Sequence, residues 1–221
     1  MLPSLQLPGK PHTEKLEPGL SFFDLFRIIE SEQKHCFLLE SLDPNNRHSR
    51  YSAIGFDPLA LLRGRPGRLI WQSDRHDVKQ SELACENPYL ALRDWFPNGI
   101  LSRNYAGGLV GYIGYDASVF FEPSLELKMH DRFDPFVFGL YLDGIVCDTM
   151  TGEIFYYSSG ENRADLVRSY MNRPALRSGP ASVEYLGDSA TEEQHRQMVE
   201  ATKEEIRAGN TFQCQIGLQK N

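Results

Sequence analysis

The sequence predicts an α+β fold in which mostly antiparallel sheets carry flanking helices. Three observations predict it. Between residues 51 and 72, short apolar runs alternate with Gly55, Asp57-Pro58 and Arg65-Pro66-Gly67, which is the rhythm of a meander. The alternation of strands with long helices that builds a parallel sheet is missing. The helices that can be recognised carry their own start signals and stand apart from the strand runs.

The elements follow in order. Ser21 and Asp24 form a capping-box pattern, with Phe22, Phe26 and Ile29 on one face behind it, so a helix is expected to end near Gln33. The run Cys36-Phe37-Leu38-Leu39-Glu40-Ser41 is too short for a helix and reads as a buried strand. Residues 43–48 have the composition of a turn. Residues 51–54, 59–63 and 68–72 read as strands of the meander. Asn87-Pro88 begins a second helix, with a cap and a proline at the first helical position, carrying Leu90, Leu92 and Trp95.

Residues 105–115 and 136–147 read as long strands, the latter joined to residues 153–158 as a hairpin across residues 148–152. Residues 172–188 are rich in Pro, Ser, Gly and Arg and read as a linker or surface loop. Thr191 and Gln194 open a last helix with Met198, Val199, Thr202 and Ile206 on one face and Gly209 past its end. Residues 211–218 then read as the start of another strand whose partners would be missing, which makes the apolar edge at Phe212 and Ile216 prone to association.

Composition narrows function. With 221 residues, 41% hydrophobic and 24% charged, the chain is of ordinary globular make-up. A formal net charge of −7 offers no basic footprint for nucleic acid or anionic membrane. The first residues lack the pattern of a signal peptide, and no apolar run approaches the roughly 20 residues of a membrane span. Cys36, Cys85, Cys147 and Cys214 lie far apart, without CxxC spacing, so reduced core thiols and a cytoplasmic location are expected.

The glycine-rich stretch Gly107-Gly108-Leu109-Val110-Gly111-Tyr112-Ile113-Gly114 lacks the GK[ST] and the helix start of a phosphate loop. It reads as a bent strand with close backbone packing. The six histidines are isolated. Glu40, Ser41 and Arg50 stand out. A carboxylate and a hydroxyl end one strand, a guanidinium enters the next, and pairing of the two strands could bring the charges together. Such a pair suits a zwitterionic amino acid, and equally it could be a plain structural ion pair.

Six segments in order then carry a resemblance. They are Leu38-Leu39-Glu40-Ser41, Arg50-Tyr51-Ser52 with Ile54-Gly55 and Asp57-Pro58, Asn87-Pro88 with Leu92-Arg93, the glycine-rich strand through Tyr115-Asp116, Pro135-Phe136 through Asp143-Gly144-Ile145-Val146, and Glu204 through Phe212-Gln213. Together they resemble the N-terminal portion of the anthranilate synthase component I family of chorismate-utilising enzymes, over nearly the whole chain beyond about residue 16. The resemblance implies an N-terminal-like domain at residues 1–188 and the start of a truncated chorismate-binding domain at residues 189–221. It implies a lyase that aminates chorismate and eliminates pyruvate to leave anthranilate, in tryptophan biosynthesis. Ammonia would come from a glutamine amidotransferase subunit, and Mg²⁺ would hold the substrate's carboxylate.

The family's Mg²⁺-binding glutamates and its active-site histidine and lysine fall in a C-terminal half outside these 221 residues, so no catalytic residue is assigned here and the chain alone is expected to be inactive. Gln213 resembles the edge of the chorismate site. Where the family usually continues Val-Val-Leu-Ser-Gln-Arg, however, this chain has Cys214-Gln215-Ile216-Gly217-Leu218-Gln219. The Leu-Leu-Glu-Ser segment resembles the family's L-tryptophan feedback site, with Leu39 in the motif. There Glu40 would meet the ammonium, Ser41 would hydrogen-bond nearby and Arg50 would help close the pocket. Two alternatives stand beside this reading: aminodeoxychorismate synthase component I, which aminates chorismate at another carbon, and a non-catalytic regulatory or partner-binding module.

Overall fold

A computed structural model describes residues 1–7, 10–17, 19–40, 50–97, 107–122, 124–177 and 179–220. The chain forms two compact units, Met1–Leu176 and Arg177–Asn221. The linker-like composition of residues 172–188 spans that division.

The first unit holds two five-stranded antiparallel sheets. Its elements are β1 (His12–Leu16), α1 (Phe22–Glu32), β2 (Cys36–Leu39), β3 (Tyr51–Phe56), β4 (Ala60–Arg65), β5 (Arg68–Gln72), β6 (Gln80–Ala84), α2 (Pro88–Trp95), β7 (Gly108–Ile113), a 3₁₀ turn (Tyr115–Phe120), β8 (Phe136–Tyr141), β9 (Asp143–Asp148), β10 (Glu153–Ser158) and α3 (Ala164–Met171). The first sheet has the order β1-β10-β9-β3-β2 and the second β6-β5-β4-β8-β7. This is the expected α+β architecture of antiparallel sheets with flanking helices.

Local chemistry explains the helices. Ser21 Oγ accepts the Asp24 amide at 3.0 Å and starts α1, which buries Leu25, Ile28 and Ile29. Asn87 Oδ1 accepts the amides of Tyr89 and Leu90 and starts α2, while its Nδ2 donates to the Phe120 carbonyl. Each sheet has its own core. Leu25, Ile28 and Ile29 of α1 and Val167 and Tyr170 of α3 pack with Ile54, Phe56, Ile145 and Tyr156 of the first sheet. Leu92 of α2 and Leu2 join Leu62, Leu69, Trp71, Phe136 and Leu140 of the second.

Several expectations are corrected. The run 136–147 is two strands in different sheets, not one. Leu142 separates them, because β8 pairs with β4 and β7 while β9 pairs with β3 and β10. Strands β1 and β6 and helix α3 carried no recognised signal. The first two are mostly polar edge strands, and the eight residues of α3 follow Arg163, whose side chain makes no cap. Within the glycine-rich stretch the strand starts at Gly108, and residues 101–106 lie outside the described residues. At Gly111 an added Cβ would lie 1.9 Å from the Val137 carbonyl oxygen, which accounts for glycine there.

In the second unit, α4 (Glu192–Arg207) has the expected capping box between Thr191 and Gln194, and Gly209 follows it at φ +77°. Residues 211–218 form no strand. The pairing seen nearby is a single bridge between Asp188 and Lys220, and Phe212 is 92% exposed. A strand run without a neighbour has nothing to satisfy its backbone, so sequence propensity alone does not produce one.

Candidate functional site

Strands β2 and β3 pair as the sequence suggested, in the register Cys36↔Phe56, Phe37↔Gly55, Leu38↔Ile54 and Leu39↔Ala53. Because Ile54 and Phe56 are core residues, Leu38 and Cys36 share their face, and Leu39 lies on the other. Leu39 is half exposed at the end of this edge strand, and Glu40 after it is exposed. Ser41 and the turn at residues 43–48 lie outside the described residues.

Arg50 enters β3 at the same end of the sheet, but the carboxylate it holds is Asp148, not Glu40. Its Nε and Nη2 donate to Asp148 Oδ2 at 2.9 and 2.5 Å. The pairing follows from register. Tyr51 stands opposite Asp148 in the β3–β9 ladder, so the residue before β3 lies beside the exit of β9. The other oxygen of Asp148 accepts the Met150 amide at 3.0 Å, closing the β9–β10 turn. The Arg50 carbonyl accepts both the amide and the hydroxyl of Thr149, at 2.8 and 2.7 Å. The guanidinium lies 5.2 Å from the centre of the Tyr51 ring.

The electrostatics agree with the geometry. The Asp148 carboxyl is held below the usual carboxylate range chiefly by its hydrogen bond from Arg50, and Arg50 is raised by the same bond. The Asp148 side chain is 8% exposed and that of Arg50 44%, so the carboxylate is the buried anchor and the guanidinium the accessible group. Sequence reading passed over Asp148 as an ordinary turn residue. Its pairing with Arg50 is visible only in the strand register.

Gln213 is placed in the second unit, exposed, beyond α4, where its carbonyl accepts the Thr211 hydroxyl at 3.0 Å. Among the described residues, no group of three His, Cys, Asp or Glu side chains could hold a metal ion, so the donors present do not fit Mg²⁺. All four cysteines are free thiols. Cys36, Cys85 and Cys147 are half-buried, whereas Cys214 is exposed and is not the core thiol expected. No helix among the described residues is long and apolar enough to cross a membrane.

A second polar cluster sits at the opposite end of the first sheet. Arg163 joins Asp143, Asp57 and the Phe56 carbonyl, and Tyr156 Oη donates to Asp143 Oδ2 at 2.9 Å while accepting the Arg163 amide at 2.7 Å. These groups satisfy one another at the two points where the chain crosses between sheets, and their part is structural.

Comparison with known proteins gives this geometry its setting. The family model described as chorismate binding enzyme matches residues 34–219. Anthranilate synthase component 1 of Leptospira biflexa is 43% identical over 99% of this chain and 47% of its own length. The protein of that name from Methanothermobacter thermautotrophicus is 36% identical over 95% of this chain and 43% of its own. Aminodeoxychorismate synthase component 1 of Bacillus subtilis is 28% identical over 91% of this chain and 45% of its own. The chain spans less than half the length of each of these relatives.

Proposed function

Because the chain belongs to the chorismate binding enzyme family, we propose that it is the N-terminal part of an anthranilate synthase component I and carries that protein's amino-acid regulatory site. The observation that carries the reading is the identity of 43% to a component 1 protein along 99% of the chain, against 28% for the aminodeoxychorismate relative. The whole protein then acts in the cytoplasm as a lyase on chorismate. It receives ammonia from a glutamine amidotransferase subunit and releases anthranilate and pyruvate. Mg²⁺, for which the described residues offer no site, would be held by the rest of the protein and would neutralise the substrate's carboxylate. The chain's own contribution to chorismate binding is Gln213, at the edge of that site.

The regulatory ligand in this reading is L-tryptophan, at the end of the sheet where β2 finishes and β3 begins. Leu39 offers apolar surface, Glu40 an exposed carboxylate for the ammonium, Ser41 a hydroxyl, and Arg50 an accessible guanidinium for the carboxylate. A zwitterion needs one charge of each sign within the span of an amino acid. Two adjacent strand ends supply both without burying an unpaired charge.

The test joins residues 1–221 to the C-terminal half of the Leptospira biflexa relative. Anthranilate is followed by fluorescence, with chorismate, Mg²⁺ and ammonium supplied. Anthranilate formation inhibited by L-tryptophan, with inhibition lost in Glu40→Ala, is expected. Aminodeoxychorismate as the product would replace this reading with the folate-branch one. Residues 1–221 alone are expected to make neither product, and anthranilate from them alone would contradict the assignment of catalysis to the other half.

A further inference from the structure

We infer that Asp148 is the positioning residue of the amino-acid site, fixing the Arg50 guanidinium so that its end-on fork faces the ligand. The inference rests on the regulatory-site reading above. A guanidinium has five N–H donors in one plane and can grip a carboxylate along its Nε–Nη2 side or across its Nη1–Nη2 end. Asp148 takes the side: Nε and one Nη2 hydrogen both go to Oδ2, at 2.9 and 2.5 Å. Among the described residues Nη1 makes no hydrogen bond. Two Nη1 hydrogens and one of Nη2 therefore remain, and one from each nitrogen forms the end-on fork, which is the geometry for a bidentate contact with a second carboxylate.

Asp148 is suited to hold that orientation. Its side chain is 8% exposed, and its Oδ1 is tied to the Met150 amide at 3.0 Å, so the carboxylate cannot swing with its partner. The main chain of Arg50 is fixed by the same turn through Thr149. An arginine otherwise free to sample many rotamers is thus presented in one, and less side-chain entropy is lost when the ligand arrives. Neighbouring charge alone would act the other way, since Asp148 is an anion close to where the ligand's carboxylate would sit.

The sign of the effect therefore decides the matter. Saturation-transfer NMR titrations of the 221-residue chain with L-tryptophan and with tryptamine, which lacks the carboxylate, measure the carboxylate's contribution. The wild type is expected to prefer L-tryptophan. In Asp148→Asn that preference should fall about tenfold while tryptamine affinity stays the same, and Asp148→Glu should restore part of it. Arg50→Lys, which keeps the charge without the fork, should lose the preference equally, and it serves if Asp148→Asn fails to fold as judged by its melting curve. Unchanged or stronger L-tryptophan preference in Asp148→Asn, or in Arg50→Lys where that variant is the one that folds, would overturn the positioning role and leave the site reading intact. Wild-type chain that binds neither compound would remove the site reading itself, and the role of Asp148 with it.

Discussion

Arg163 grips Asp143 through two parallel hydrogen bonds, Nε to Oδ2 at 2.9 Å and Nη2 to Oδ1 at 2.6 Å. Its third nitrogen reaches Asp57 Oδ2 at 2.6 Å, and its guanidinium stacks 4.7 Å from the Phe56 ring centre. Asp57 lies where the chain leaves β3 for β4, and Asp143 where it returns from β8 into β9. One side chain therefore pins both crossings between the two sheets. Asp57 adopts φ +46°, a left-handed conformation that a short polar side chain tolerates and that the sharp crossing requires.

Removing that pin should be severe. In Arg163→Met the Asp143 side chain, 3% exposed, loses both guanidinium hydrogen bonds and keeps the Tyr156 hydroxyl as donor. Breaking a buried pair in this way costs about 3–5 kcal/mol. Urea unfolding should show the midpoint falling accordingly, and a loss under about 0.5 kcal/mol, the size of an ordinary surface substitution, would show that the crossings are held by other contacts.

Alkaline pH should destabilise the first unit through Tyr156. Burial, with the charge of Asp143 beside it, pushes this phenol up to about 12 from its ordinary 10. The folded state thus holds the proton more tightly than the unfolded one. The stability this contributes is fully present below pH 10 and is lost as pH rises through 12. The loss should reach about 2 kcal/mol across that window. In Tyr156→Phe the slope of stability against pH should flatten between those values, although the variant is less stable at neutral pH because Asp143 loses a donor.

Gly111→Ala tests the close approach of β7 to β8. The new Cβ would meet the Val137 carbonyl oxygen at 1.9 Å and the Phe138 Cα at 2.7 Å, both backbone atoms that cannot rotate away. A cost of about 1–3 kcal/mol or more is expected, with β7 amides losing hydrogen-exchange protection first. Gly67→Ala, which meets no atom within 4 Å but sits at φ +79°, should be milder and should not affect β7.

Asn87→Ala should cost about 1–2 kcal/mol, since the cap of α2 disappears and the Phe120 carbonyl loses its donor. Asn87→Ser, which restores the cap but cannot replace the amide donor, should recover roughly half of that loss. Thermal melts of the two variants check the order.

What could be read in the sequence was local. The caps of α1, α2 and α4 were visible because a capping side chain acts on an amide only two or three residues away. The meander strands showed through their punctuation by Gly, Pro and Asp. The break at Leu142 was missed because Asp143-Gly144 is so brief an interruption of the apolar run 136–147 that it did not read as a change of sheet. Strands β1 and β6 were missed for the opposite reason, being polar edges that owe their form to the strand beside them.

For the candidate site the same division applies. Leu39, Glu40, Ser41 and Arg50 were recognisable from motif order, and the pairing of β2 with β3 followed from a short turn between two apolar runs. The partner of Arg50 did not follow, because Asp148 is 98 residues away and meets it only through the β3–β9 register. Arg163 and Asp57, 106 residues apart, are the same case. The sequence by itself determined the fold class, the capped helices, the hairpins and the family of this protein, since these depend on neighbours along the chain or on motifs in order. Only the tertiary structure decided which strand enters which sheet and which carboxylate holds which arginine. Those choices are made by side chains distant in sequence, whose meeting depends on register, and a one-residue slip would turn each of them to the other face.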